Sequence, residues 1–256
     1  MGTPESKSMT ASPQPPPVAD AEQPAVLRFG VLKPYYVDPR SGIAIIHADA
    51  RDVVAEISGG MTKLDCFVTD PVYGVSGDGG SVKQGGAAKY DGDFDDTPEY
   101  VRQVCVPVVA NLIQLGMSGA LTPGTRCLMH YPQPADIGCF YHPAATGCGP
   151  WGFMSCTAIL FYGKRHNDDG GPTSTGRTVT ETAERFGHPC TKPIKAWTWL
   201  VNKVAGRSRS VLDTFMGSGT TLRACKDLGL LAVGVDVSEA YCEIAAKRLS
   251  QEVLAL

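Results

Sequence analysis

The sequence predicts a doubly wound α/β fold on a mostly parallel sheet, and three observations carry that prediction. Apolar runs of strand length, at 42–48, 64–69 and 231–236, alternate with stretches of helical periodicity. A strand, a glycine-bearing turn, a helix and a second strand follow one another between 210 and 236, the signature of a parallel βαβ unit. The 256 residues are 43% hydrophobic and 19% charged, which suits one domain with a sizeable core.

The elements follow in order. Residues 1–24 are rich in Pro, Ser and Ala and lack hydrophobic periodicity, so they read as a disordered tail before a single domain over 25–256. Gly42–Ala48 is a strand ended by Asp49, and Val53, Val54 and Ile57 mark a short helix. Leu64–Thr69 is a second strand, closed by Asp70-Pro71. The segment 74–90 holds six glycines and almost nothing to bury, and reads as a mobile loop. Thr97-Pro98 starts a helix, with Thr97 as N-cap, and helical spacing runs from Val101 to Ile113. Thr125–Tyr131 and Thr157–Tyr162 read as strands, and 132–154 and 164–190 as irregular. Ile194–Val204 is helical, Ser210–Asp213 a strand, Thr220–Leu228 a helix and Leu231–Asp236 a strand. Ser238–Leu249 is an amphipathic helix with Ser238 at its N-cap.

Several classes are excluded. No run approaches the ~20 apolar residues of a transmembrane helix, and the polar N-terminus reads as neither secretory signal nor membrane anchor. Nine cysteines, an odd number spread along the chain, read as reduced thiols of a cytosolic protein. The net charge of -3 hides an uneven distribution: 151–210 carries +5 and the remainder -8. A basic segment of that kind is compatible with nucleic acid.

The turn at 213–221 is the first candidate site. Gly217 and Gly219 let the backbone bend and approach a ligand. It lacks the Gly-Lys-Ser/Thr of a phosphate loop, and Leu222 stands where a dinucleotide fingerprint needs its third glycine. Asp213 instead ends the strand before the glycines, where a carboxylate suits a cationic amino group. Asp236 ends the next strand, where it can take ribose hydroxyls. A cationic head and a ribose together describe S-adenosylmethionine, with Phe215 in register beside them.

Three motifs then stand in order. Asp70-Pro71-Val72-Tyr73 resembles the Asp-Pro-Pro-Tyr tetrad of the amino-group (adenine-N6 and cytosine-N4) DNA methyltransferases. His188-Pro189-Cys190-Thr191-Lys192-Pro193 resembles their His-Pro-x-x-Lys-Pro element, and Asp213–Thr221 their cofactor motif. Catalytic motif before cofactor motif is the permuted β-type order of that family, and the resemblance covers about 40–254. It implies a seven-stranded Rossmann-like sheet with a small irregular target-recognition insertion. The catalytic half would be 40–131, the recognition region 132–190 and the cofactor half 191–256.

The resemblance also implies roles. An exocyclic amino nitrogen is a poor nucleophile, because its lone pair is delocalised into the ring. Acceptors for its protons, the Asp70 carboxylate and the Pro71 carbonyl, would free that lone pair, and Tyr73 would stack on a flipped base. Val72 stands where the family usually has Pro. Asp49 would accept from the cofactor's adenine or else cap the following helix; Lys192, with Pro193, would lie near its methionine carboxylate or else be solvated. Gly217, Gly219 and Thr220 would line the cofactor turn. His188 reads as capping or packing, and Asp96, in Phe94-Asp95-Asp96, as structural.

Double-stranded DNA is the implied partner, in the cytoplasm of a bacterial or phage-infected cell. Lys164, Arg165, Arg207 and Arg209 are candidate phosphate contacts, and Trp151 and Phe153 candidate base contacts, against the alternative of a solvated surface. Family members are often dimers, and nothing in the residues decides whether this chain forms a homodimer. A zinc site from Cys127, His130, Cys139, His142 and Cys148 is disfavoured, since Cys127 and His130 would point to opposite sides of the expected strand. Asp at the first tetrad position favours adenine-N6 over cytosine-N4. The rivals are the same chemistry on cytosine, RNA or a protein amide, and a binding module with the fold but little turnover.

Overall fold

The computed structural model describes residues 32–60, 63–75, 96–164, 173–183, 191–206, 208 and 210–251. The expected tail, most of the glycine-rich loop, His188–Cys190, Arg165, Arg207 and Arg209 lie outside the described residues. Eleven strands are present among those described: β1 (Tyr36–Val37), β2 (Ala44–His47), β3 (Cys66–Thr69), β4 (Ser118–Leu121), β5 (Asp136–Tyr141), β6 (Cys148–Gly149), β7 (Gly152–Phe153), β8 (Cys156–Tyr162), β9 (Gly176–Thr178), β10 (Ser210–Asp213) and β11 (Leu231–Asp236). Nine form one sheet in the order β1-β2-β11-β10-β3-β4-β8-β5-β9. The central run from β2 to β4 is parallel throughout, whereas β8 is antiparallel to both β4 and β5. The expected seven strands are there, from β2 to β5, extended by a short strand at each edge.

The central strands are apolar on both faces because helices cover both. Helices α5 (Ile194–Ala205), α6 (Thr220–Leu228) and α7 (Glu239–Ser250) bury Trp197, Leu200, Leu222 and Leu249 against Cys66, Val68 and Val211. On the other face α1 (Ala50–Ser58) and α3 (Val106–Gln114) bury Val53, Ile57, Val109 and Leu112 against Phe67, Leu212 and Val233. Alternate residues of β3 and β10 thus enter opposite cores. Thr97 caps α2 (Pro98–Tyr100) by accepting from Tyr100 N at 3.2 Å, and a π-helical turn at Val101–Cys105 joins it to α3. No helix among the described residues is long and apolar enough to cross a membrane.

Two expectations are corrected. Residues 125–131 are not a strand: α4 (Gly124–Cys127) and a 3-10 turn (Leu128–His130) occupy them, and Cys127 is buried. The strand instead precedes them, at β4. Its Ser-Gly-Ala-Leu sequence carries no β-branched signal, because packing demands small residues there: a Cβ on Gly119 would lie 2.4 Å from the Phe67 ring. Nor is 132–154 irregular, since β5 pairs with β8 over six residues and a β6–β7 hairpin follows.

The chain leaves β3 towards β4 and leaves β10 in the opposite direction towards β11. β3 and β10 are neighbours, so their carboxyl ends flank the point where strand order reverses, where open α/β sheets bind ligands.

Candidate active site

A cleft opens at that switch point. Asp70, Pro71, Val72 and Tyr73 line it from the end of β3, and Asp213 to Ser218 from the end of β10. Asp49, Lys192, Thr220, Thr221 and Asp236 also line it. Pro193 and Gly219 are not among the lining residues: Pro193 is the N-cap residue of α5 and Gly219 that of α6. Gly219 adopts φ +74°, and a Cβ there would meet Ala245 at 2.9 Å, so glycine is needed for the turn's packing.

Asp213 is buried, and its Oδ1 accepts from Thr69 Oγ1 at 2.7 Å and from Phe215 N at 3.1 Å. Thr221 also donates to it, and Trp197 Nε1 donates to Thr221 at 2.8 Å. Despite these donors, burial pushes the Asp213 carboxyl up to about 7. A buried carboxylate held by neutral donors at a cleft wall is suited to a cation. Asp236 accepts from Gly217 N and Ser238 N, both at 2.9 Å, so it ties the turn to the start of α7. Burial pushes it up to about 6. Ser238 occupies the N-cap position without a side-chain capping bond.

Asp70 is the centre of a second cluster. Its Oδ1 accepts from Tyr73 Oη at 2.7 Å and from Thr122 Oγ1, and its Oδ2 is ion-paired with Lys192 Nζ. The Lys192 ammonium also lies 5.0 Å from the Tyr73 ring centroid. Burial, reinforced by the Asp70 charge, pushes the Tyr73 phenol well above its ordinary range, so it remains a donor. Asp49 caps α1 through Arg51 N and is chelated by the Arg51 guanidinium at 2.9 and 2.6 Å. Those hydrogen bonds hold its carboxyl below the usual range.

Three supporting residues complete the site, and of these only Asp96 read as structural in the sequence. Thr122 directly follows β4 and donates to Asp70. Asp96 is buried and accepts from Gly74 N at 2.6 Å and Val75 N at 3.2 Å, fixing the chain just after the tetrad. Arg248 of α7 is buried behind the 217–220 turn and donates to Ser218 O at 3.1 Å and Thr220 Oγ1 at 2.8 Å. In sequence it reads as one more charge on an amphipathic helix.

The candidate nucleic-acid contacts divide. The register of β4 with β8 puts Lys164 beside Ser118, at the opposite edge of the sheet from Asp70. Trp151 and Phe153 instead sit on the β6–β7 hairpin, which projects from the tetrad's edge, and both are strongly exposed. Among the described residues no group of three His, Cys, Asp or Glu side chains is placed to hold a metal.

Comparison with known proteins agrees with this geometry. The DNA methylase family model of N6 and N4 enzymes matches residues 160–247. The type II methyltransferase M2.DpnII of Streptococcus pneumoniae is 25% identical, over 87% of this chain and 95% of its own length. The chain is thus similar to the amino-group DNA methyltransferases. A second methyltransferase of that length, M2.LlaDCHI of Lactococcus lactis, is 26% identical, over 87% of this chain and 94% of its own. The fold is shared with the crystal structure of an M1.HpyAVI–SAM complex (TM-score 0.57, 19% identity, 80% of this chain and 98% of that one). It is shared also with PvuII DNA methyltransferase, titled cytosine-N4-specific (TM-score 0.56, 12% identity, 90% and 92%).

Proposed function

We propose that this chain transfers a methyl group from S-adenosylmethionine to the N6 amino group of a flipped adenine in double-stranded DNA. The observation that carries the reading is the meeting of Asp70 and Asp213 in one cleft, at the carboxyl ends of adjacent strands. The donor set fits the cofactor: Asp213 faces its amino group, Lys192 its carboxylate and Asp236 its ribose, with Phe215 and the 217–220 turn beside them. When bound, S-adenosylmethionine supplies an electrophilic methyl on a sulfonium. The chain's part is to accept the two amino protons on Asp70 and the Pro71 carbonyl, so that the nitrogen lone pair points at the methyl. The methyl donor would leave as the neutral thioether, and the proton shed by the methylated nitrogen would pass to solvent while Asp70 and the Pro71 carbonyl hold the amino group. Tyr73 provides a face for the extruded base, and the hairpin bearing Trp151 and Phe153 contacts the duplex.

Site-specific modification of a bacterium's own DNA is supported by the type II relatives, and the Asp at position 70 supports adenine. Mass spectrometry of digested DNA from cells expressing the chain tests the reading. N6-methyladenine is expected, and it disappears with Asp70→Ala. N4-methylcytosine would transfer the proposal to cytosine, and unmodified DNA would refute methyl transfer to DNA.

A further inference from the structure

We propose that Thr122 is a positioning residue that orients the Asp70 carboxylate, so that Oδ2 is the oxygen accepting the target amino proton. This rests on the transfer reaction proposed above. Thr122 follows β4 as Asp70 follows β3, and the parallel register brings the two strand ends together. The Thr122 N–H donates to Thr69 O at 3.3 Å, and its side chain is fully buried, so the hydroxyl has a fixed origin. That hydroxyl donates to Asp70 Oδ1, the oxygen that also receives the Tyr73 phenol.

The terminal torsion of an aspartate is soft, and a carboxylate with one donor can swing about it. A carboxylate oxygen has two lone-pair sites, and here Thr122 and Tyr73 fill both on Oδ1. Oδ2 is then the oxygen presented to the cleft. Lys192 is ion-paired with that oxygen, as a cationic stand-in for an N–H donor. Removing the Thr122 hydroxyl leaves Tyr73 as the Oδ1 donor and lets Asp70 follow Lys192 away from the target.

The test compares Thr122→Val, which replaces the hydroxyl by a methyl of similar size, with Thr122→Ser, which keeps the donor. Thr122→Val should lower kcat about 10- to 100-fold while KM for the cofactor stays within about twofold. Thr122→Ser should recover most of the loss. In urea unfolding, Thr122→Val should lower the midpoint of the native chain but not that of an Asp70→Ala background. Native kcat in Thr122→Val, no recovery with Ser, or equal midpoint losses in both backgrounds would overturn the proposal. A native chain without transfer would refute the reaction instead, and the unfolding cycle alone would then decide whether the hydroxyl acts on Asp70.

Discussion

Lys192 is ion-paired with Asp70, so the candidate cofactor lysine and the first tetrad residue hold each other across the cleft. Both side chains are about four-fifths buried, which makes the pair more than a screened surface contact. A carboxylate entering the cleft competes with Asp70 for the ammonium, and success frees Oδ2 for the target. Lys192→Met should therefore weaken S-adenosylhomocysteine binding about tenfold, the scale of one charge-assisted hydrogen bond. The same variant should bind 5′-methylthioadenosine, which lacks the amino-acid head, as the native chain does. Calorimetry with both ligands checks this, and equal losses for the two would remove Lys192 from the carboxylate.

The raised carboxyl of Asp213 makes binding depend on pH. Burial pushes it up to about 7, so the folded chain keeps a proton there that the unfolded chain has lost. Between the ordinary carboxyl range and 7 the folded state binds more protons, and this contribution to stability is lost as pH rises through that window. Asp236, up to about 6, acts in the same direction. A cationic ligand requires ionised Asp213, so S-adenosylhomocysteine affinity should fall about tenfold per pH unit below 7. In Asp213→Asn that pH dependence should flatten. A native affinity constant from pH 5.5 to 7.5 would mean that Asp213 does not face the amino group.

Tyr73 is seated on a glycine. Gly124 adopts φ +66°, and a Cβ there would stand 2.5 Å from the Tyr73 ring. Gly116 has φ +78° with nothing within 4 Å of its virtual Cβ. Alanine at either position costs about 1–2 kcal/mol of backbone strain. Only Gly124→Ala should add a steric loss and displace the tetrad tyrosine. Urea unfolding should show Gly124→Ala as the less stable variant, and methyl transfer should fall at Gly124 but not at Gly116. Equal behaviour of the two variants would show that the glycine is not the seat of Tyr73.

The legible parts of the molecule are those whose signal is local. The elements at 210–213, 220–228 and 231–236 stand where the apolar runs and turn glycines put them, because a strand covered on both faces must be apolar throughout. Thr97-Pro98 fixed a helix start through capping chemistry alone. β4 was illegible because its composition answers to Phe67, far away in the chain, rather than to strand propensity. The apolar stretch after it, Cys127-Leu128-Met129, mimicked a strand but forms helical turns, from which Cys127 Sγ donates to Tyr73 O at 3.5 Å. The site divides the same way. Asp70, Tyr73, Asp213 and Asp236 were marked by motif and Asp96 by its structural segment, whereas Thr122 and Arg248 act through partners that no spacing reveals.

Trp151 is fully exposed at the tip of the β6–β7 hairpin, with Phe153 beside it in the same hairpin. An indole without a packing partner contributes little to folding, so Trp151→Ala should change unfolding by less than about 0.5 kcal/mol. A stacking contact with a base is worth about 1–3 kcal/mol, and the hairpin rises from the edge of the sheet that holds Asp70. Duplex affinity of Trp151→Ala should therefore fall about 5- to 100-fold while S-adenosylhomocysteine affinity stays unchanged. Lys164→Ala, at the opposite edge, should leave duplex affinity within about twofold, since a lysine away from the duplex releases no counterions. Fluorescence anisotropy on a labelled duplex, with calorimetry for the cofactor product, separates the two variants. If Lys164→Ala weakens the duplex and Trp151→Ala does not, the DNA lies along the other edge of the sheet.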